Sequence, residues 1–432
     1  MKMIKLQDLA QIEISNVDKK SIEGETSVKL CNFVDVYYNW AITAEMTSQL
    51  MYATAKENQI AKFTLRKGQV AITKDSETRD DIGVATYIAD DMPGVILGYH
   101  CVLITPNENL INGKYLNVIF HSPYAQKYFE ANASGSGQRY TLTNEIVGEF
   151  PIPVIEIEKQ KQIGDLFSNI DRKIANNRVI CADLESMAKL LYDYWFVQFD
   201  FPDKNGKPYK SSGGKMVWNE ELKREIPEGW EAGTFGDCIA SINTGLNPRD
   251  NFKLNTGGTI RYLTVKNLTK EGTVDFSSCD CIDEEARAIV HRRSDIRIGD
   301  ILFASIAPLG RCYVIKEDPK TWDINESVFS IRPNYKIATS NFLYMTFMSD
   351  SFVKKAEGSS TGSVFKGIRI SELQDLKTII PKKAVLDKFD DVVEKLFAAK
   401  SNAFNENMDL ASLRDFLLPM LMNGQVKVCN ME

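Results

Sequence analysis

Pro202-Asp203 followed by Glu221-Leu222-Lys223 carries the residue types of a metal-dependent nuclease, two acids and a lysine able to converge on one cation and a scissile phosphate. Convergence requires the acids on adjacent strands. The intervening "KNGKPYKSSGGKMVWNE" alternates like a strand only at 216–218, and so short a pattern arises often by chance. "KSSGGKMV" at 210–217 offers the Gly-Lys of a phosphate-binding loop, but Tyr209 stands where its first glycine belongs and Met216 where Ser or Thr would follow. No GxGxxG is present to hold a dinucleotide or S-adenosylmethionine, and "TGLNPRD" at 244–250 puts Arg249 where amino-methylating enzymes continue their Asn/Asp-Pro-Pro-aromatic tetrapeptide. His100, His121 and His291 lie far apart in the chain, and no GxSxG elbow accompanies them. Cys279 and Cys281 come nearest to a zinc pair, but with no CxxC among the eight cysteines they read as reduced thiols. The expectation is a binding protein without catalysis of its own, with no metal or cofactor held by this chain.

The 432 residues suggest two or three domains, and 44% hydrophobic with 25% charged residues is the composition of an ordinary globular protein. No apolar run is long enough to span a bilayer, and "MKMIKLQDLA" lacks the apolar core of a signal peptide, so a soluble cytoplasmic protein with no membrane partner is expected. The net charge of −6 argues against a uniformly basic nucleic-acid binder. Any DNA contact must come from local patches.

An internal repeat organises the chain. "SVKLCNFVDVYYN" at 27–39 returns as "TIRYLTVKNLTKE" at 259–271, and "LRKGQVAITK" at 65–74 as "IRIGDILFAS" at 296–305. "VLITPNENL" at 102–110 parallels "VFSIRPNYKI" at 328–337, and "ADLESMAKLL" at 182–191 parallels "MDLASLRDFL" at 408–417. In each unit, strands are predicted at 28–36 or 260–268 and after Gly68 or Gly299, and a short helix at 116–130 or 342–357. Sheet pairing is expected to close at Pro151 and Pro153, or at Pro381.

A long helix follows each head. Ile163, Phe167, Ile170, Ile174, Asn177, Cys181, Leu184, Ala188, Leu191 and Trp195 keep 3-4 spacing, the narrow stripe of a two-helix coiled coil with one Asn to fix its register. The second helix carries Phe389, Val393, Leu396, Ala403, Leu410 and Leu417, interrupted in the same frame by Lys400, Asn407 and Arg414. Two such helices most simply pair antiparallel as a rod of roughly 50 Å. Tyr192, Tyr194, Trp195 and Phe196 are expected at the helix pair or a partner surface, Pro202 to end the helix, and Gly213-Gly214 to serve a turn.

Two similar heads on a spacer suit a bipartite target, and duplex DNA offers one. Lys62, Arg66, Gln138, Arg139 and Tyr140 in the first head, and Arg292, Arg293, Lys366 and Arg369 in the second, are candidate DNA contacts beside matched turns. Arg79, Arg249 and Arg311 add side chains able to reach groove edges. Glycine-serine stretches at 134–137 and 358–362 would let backbone approach phosphate.

The order head, helix, head, helix, with "LYDYWFVQFDFP" at 191–202, "GKPYKSSGGKMV" at 206–217 and "IPEGW" at 226–230 at the junction, resembles the specificity subunit of type I restriction-modification enzymes. The resemblance implies an α+β chain of two tandem mixed α/β target recognition domains, separated and followed by long helices that pair as an antiparallel coiled coil. It places target recognition domains at 1–155 and 226–381, a spacer helix at 156–200, a connector at 201–225 and a C-terminal spacer helix at 382–426. Each domain would read one half of a split site in double-stranded DNA. The helices would set the spacer and dock two methyltransferase subunits through Ile170, Ile174, Asn177, Leu184, Leu191, Tyr194, Trp195 and Phe196. S-adenosylmethionine, ATP and Mg would belong to those subunits and to two restriction/translocase subunits. A stand-alone two-headed DNA-binding protein is the alternative.

Overall fold

The computed structural model describes residues 2–135, 139–249, 251–359 and 367–422. Two compact units divide the chain, one of Met1–Ile180 with Asn402–Glu432 and one of Cys181–Ser401. The long helices, Ile157–Tyr192 and Lys383–Met422, each contribute to both units.

The first head centres on a five-stranded sheet, ordered Ala10–Ile14, Cys101–Pro106, Val70–Thr73, Ala85–Ile88 and Ala41–Ile42. Thr26–Cys31 pairs antiparallel with Met51–Ala55 and parallel with Val95–Leu97 in a second sheet. In the second head Ile239–Thr244, Val328–Pro333 and Ile301–Ala304 reproduce the start of the first order, followed by Cys312–Val314. Ile260–Leu263 pairs antiparallel with Asp280–Ile282 and parallel with Trp322–Ile324, as its counterpart does. The sequence repeat is thus a repeat of strand topology.

The predicted strand at 28–36 stops at Cys31, because the Asn32 side chain accepts the Phe33 amide, the Asp35 side chain accepts the Asn32 amide, and Phe33–Tyr38 coils into a helix. At the matching place Asn267 Oδ1 accepts the Thr264 amide and starts the turn Val265–Asn267. The single helix predicted at 116–130 is two, Gly113–Phe120 and Pro123–Asn132, the second capped by Ser122 with Pro123 in its first turn. Ser340–Met348 and Asp350–Ser359 split in the same way. Pro151 and Pro153 do not stop sheet pairing. They lie within Pro151–Val154, which pairs with Lys2–Lys5 in a two-stranded sheet where the missing amides cost no ladder bond.

Each long helix begins on its own head. Ile163 and Phe167 join the first head's core, with Gly164 so close to Lys114 that a Cβ would come within 2.6 Å of that side chain. Leu386, Phe389 and Val393 are fully buried in the second head's core. Pro202 does not end the central helix. The wide turn Asp193–Val197 finishes it and Phe199 reverses the chain at φ +69°, its buried ring held against Trp230 at 5.5 Å. Beyond it the connector is a folded part of the second unit. Phe201 stacks between Tyr209 at 4.7 Å and Trp230 at 5.0 Å, and Met216–Asn219 pairs with Arg224–Pro227. Gly213, at φ +87°, makes the expected turn, closed by the Gly214 amide donating to the Tyr209 carbonyl.

Candidate nucleic-acid interface

Asp75 and His100 stand at the same end of adjacent antiparallel strands, one just past Val70–Thr73 and the other just before Cys101–Pro106. His100 Nδ1 lies 2.5 Å from Asp75 Oδ2, and His100 adopts φ +72°, a conformation that costs any residue with a Cβ. Burial pushes the Asp75 carboxyl up, but hydrogen bonds from Thr141 and His100 and the charge of Lys74 outweigh it and hold Asp75 below its usual range. Tyr140–Thr141 pairs with Asp75–Ser76, which brings Arg139 alongside. Arg139 Nη2 is 2.9 Å from His100 Nδ1 and 3.3 Å from Nε2. An atom at such similar distances from both ring nitrogens cannot lie in the ring plane without striking the carbon between them, so Arg139 Nη2 sits over the imidazole face. Arg79 lies over the Tyr140 ring at 5.2 Å and Lys74 over Tyr99 at 5.4 Å.

Three predicted contacts, Arg79, Arg139 and Tyr140, therefore gather in one patch, while Gln138 lies outside the described residues. Lys74, Asp75, Tyr99 and His100 were not predicted. His100 reads as an isolated histidine until strand register sets it beside Asp75. Lys62 and Arg66 occupy a separate polar groove with Lys67, Glu13 and Glu108, and Lys62 pairs with Glu13 at 3.1 Å.

In the second head Arg292 and Arg293 are exposed in the last turn of Glu284–Ser294, and Arg293 Nε donates to Thr244 Oγ1 at 3.1 Å. Asn247 donates to Glu326 at 2.6 Å, two residues from exposed Arg249. Arg311 is partly committed to the fold, with Nη1 donating to the Leu268 carbonyl at 3.0 Å, and Arg287 and Arg297 bind the Pro319 carbonyl and Asp295. Arg369 is exposed at the start of Ile370–Asp375, apart from the Arg292 helix in sequence; Lys366 and the 360–362 part of the glycine-serine stretch lie outside the described residues.

The helix seam is antiparallel within each unit. In the first, buried Asn177 donates to Glu406 at 2.7 Å, Asn407 donates to the Ile174 carbonyl at 3.2 Å, and Arg414 lies over Trp40 at 5.8 Å. In the second, Lys400 pairs with Glu185 at 2.9 Å, and Tyr192, Trp195 and Phe196 pack around Phe389. Lys400, Asn407 and Arg414, which interrupt the apolar frame, are its polar fastenings. Ile170 and Ile174 are buried, Leu184 and Leu191 half-buried, and Tyr194 is exposed.

The sequence pattern described as Type I restriction modification DNA specificity domain matches residues 1–186 and 227–402, once per repeat. The chain belongs to the type I restriction-modification specificity family. It is 26% identical to the type I restriction enzyme MjaIX specificity subunit of Methanocaldococcus jannaschii, over 75% of this chain and 71% of that one. It is 23% identical to the HindI specificity subunit of Haemophilus influenzae, over 85% and 88%. The S subunit of a type I restriction-modification system from M. genitalium has the same fold, with a TM-score of 0.58 at 13% identity over 100% of this chain and 96% of that one. Specificity subunits are non-catalytic, and the nuclease-like residues of this one have other work. Asp203 accepts the Asn205 and Lys207 amides, Glu221 pairs with Lys377, and Lys223 pairs with Glu220. Among the described residues no group of three or more His, Cys, Asp or Glu is placed to hold a metal ion, and no helix is long and apolar enough to cross a membrane.

Proposed function

We infer that this specificity subunit selects the target of a cytoplasmic type I restriction-modification complex, each head reading one half of a split duplex site and the helices fixing the spacer. The observation that carries this reading is the pair of heads with the same strand connections but different side chains at matching points. The Lys74 amide donates to the His100 carbonyl at 2.7 Å and the Ser305 amide to the Ser327 carbonyl at 3.0 Å, so Asp75 and His100 correspond to Ile306 and Ser327. Two scaffolds with unlike tips suit an asymmetric site.

Partner docking draws support from the outer helix faces. In the first unit Val179, Ile180, Phe404, Met408, Leu413 and Phe416 are exposed, and in the second Met187, Leu190, Tyr194, Val197 and Val392. Exposed apolar side chains on the helices of both units fit two methyltransferase subunits, which would bring S-adenosylmethionine, with two restriction/translocase subunits supplying ATP- and Mg-dependent cleavage. Mapping of N6-methyladenine in cells with and without this gene tests the assignment. Loss of one bipartite motif on deletion is expected; an unchanged methylation map would refute it.

A further inference from the structure

We propose that Arg139 is a guanine-reading residue of the first head, held in reading position by His100 and Asp75. The proposal rests on the DNA-reading function inferred above and assigns to one side chain a base that it recognises. Arg139 is 61% exposed, whereas the carboxylate that holds its support is only 10% exposed. Pairing with Asp75 fixes the imidazole, and the imidazole together with the Asp75 carboxylate, 3.8 Å from Arg139 Nη2, anchors the guanidinium at that nitrogen while the exposed remainder of the fork stays available to a ligand. A flat fork of donors matches the O6 and N7 acceptors of guanine in the major groove, the commonest specific base contact.

A phosphate clamp would not need this arrangement. Phosphate accepts donors from many directions, and a mobile lysine or arginine serves it; here the chain holds His100 in a left-handed conformation at φ +72° to anchor the fork. The matching positions of the second head, Ile306 and Ser327, could neither pair nor stack in this way. Among the described residues this support occurs in the first head, which suits a base reader of one half-site, whereas backbone contacts would serve both. Lys74 and Arg79, stacked on Tyr99 and Tyr140 beside the fork, supply the positive field that brings it to the duplex.

The test uses the full chain assembled with its methyltransferase partner and a randomised duplex library, from which bound sequences are selected and read. The unchanged protein should select a bipartite sequence with guanine at a position in one half. Arg139→Ala and Arg139→Lys should each lower the preference for that guanine roughly ten- to a hundredfold, leaving the other half-site and the spacer as they were. His100→Gly keeps the backbone, because glycine is at ease at positive φ, and should relax preference at that same position while the protein still selects the other half-site. Unaltered selection by Arg139→Ala would overturn the proposal. So would a uniform weakening across all sequences with a shallower salt dependence, the behaviour of a phosphate contact. A bipartite selection with no guanine in either half would sink this assignment alone, whereas failure of the unchanged complex to select any sequence would remove the DNA-reading function beneath it.

Discussion

Gln69 and Asp300 occupy the same turn of the two heads and do the same job with different chemistry. Gln69 accepts the Arg66 amide and donates to Thr105 Oγ1, each at 2.8 Å; Asp300 accepts the Arg297 amide at 3.0 Å and binds the Arg332 guanidinium at 2.8 Å. The first pair is neutral and the second ionic, with Asp300 1% exposed. Asp300→Ala leaves the Arg297 amide and the Ser330 hydroxyl without their acceptor and Arg332 with Asp295 as its remaining partner, so it should cost about 2 to 3 kcal/mol in denaturant unfolding. Gln69→Ala should cost about 1 kcal/mol, the worth of a neutral hydrogen bond. Asp390 gives a pH-dependent test. Burial pushes its carboxyl up to about 6, against hydrogen bonds from Asn341 and Thr339 and with Glu394 adding to the rise. The folded chain then keeps a proton that the unfolded chain releases near the ordinary value of 3.8, so this contribution to stability is full below 3.8 and is lost as pH rises through about 6. Asp390→Asn should remove that loss, and the denaturation midpoint of the variant relative to the unchanged protein should climb across this window. Asp171 in the first unit is also pushed up to about 6 by burial, so the comparison is made as a difference between the two proteins.

Among the elements, the long helices were the most legible in sequence and their fastenings the least. A 3-4 stripe from Ile163 to Trp195 declares a helix and its buried face, and Asn177 stands out on it as a seam position. Lys400, Asn407 and Arg414 look like flaws in the second stripe because their partners, Glu185, the Ile174 carbonyl and Trp40, are more than two hundred residues away. Each is a charged or polar group that a sequence pattern counts against burial and a partner makes compatible with it. Antiparallel fastening also sets the terms of a ruler test. Seven residues inserted after Asn177, matched by seven after Ser401, preserve the seam on either side and lengthen the helices by about 10 Å, close to three base-pair steps. Methylation mapping should then recover the same two half-sites with the spacer longer by about three base pairs. Altered half-site bases with an unchanged spacer would contradict the division of labour between heads and helices.

At the scale of the molecule, the first unit is completed by the far end of the chain. Leu418 is buried in the same core as Trp40 and Phe167, and Glu406 binds both Asn177 and Lys173. A chain ending at Ser401 should therefore lose stability in the first unit while leaving the second near its original melting temperature, seen as earlier proteolysis of first-head peptides on heating; equal protection of both heads would refute this closure. The sequence by itself determined the duplication, the α+β class, the positions of the long helices and the family, because these depend on periodicity, on residues fixed by local backbone demands, and on a junction of aromatic side chains that pack into one core. Only the tertiary structure decided which polar residues work together. Asp75, His100 and Arg139 span 64 positions and meet because strand register stacks their ends, and no local pattern encodes a register set by pairing between distant strands.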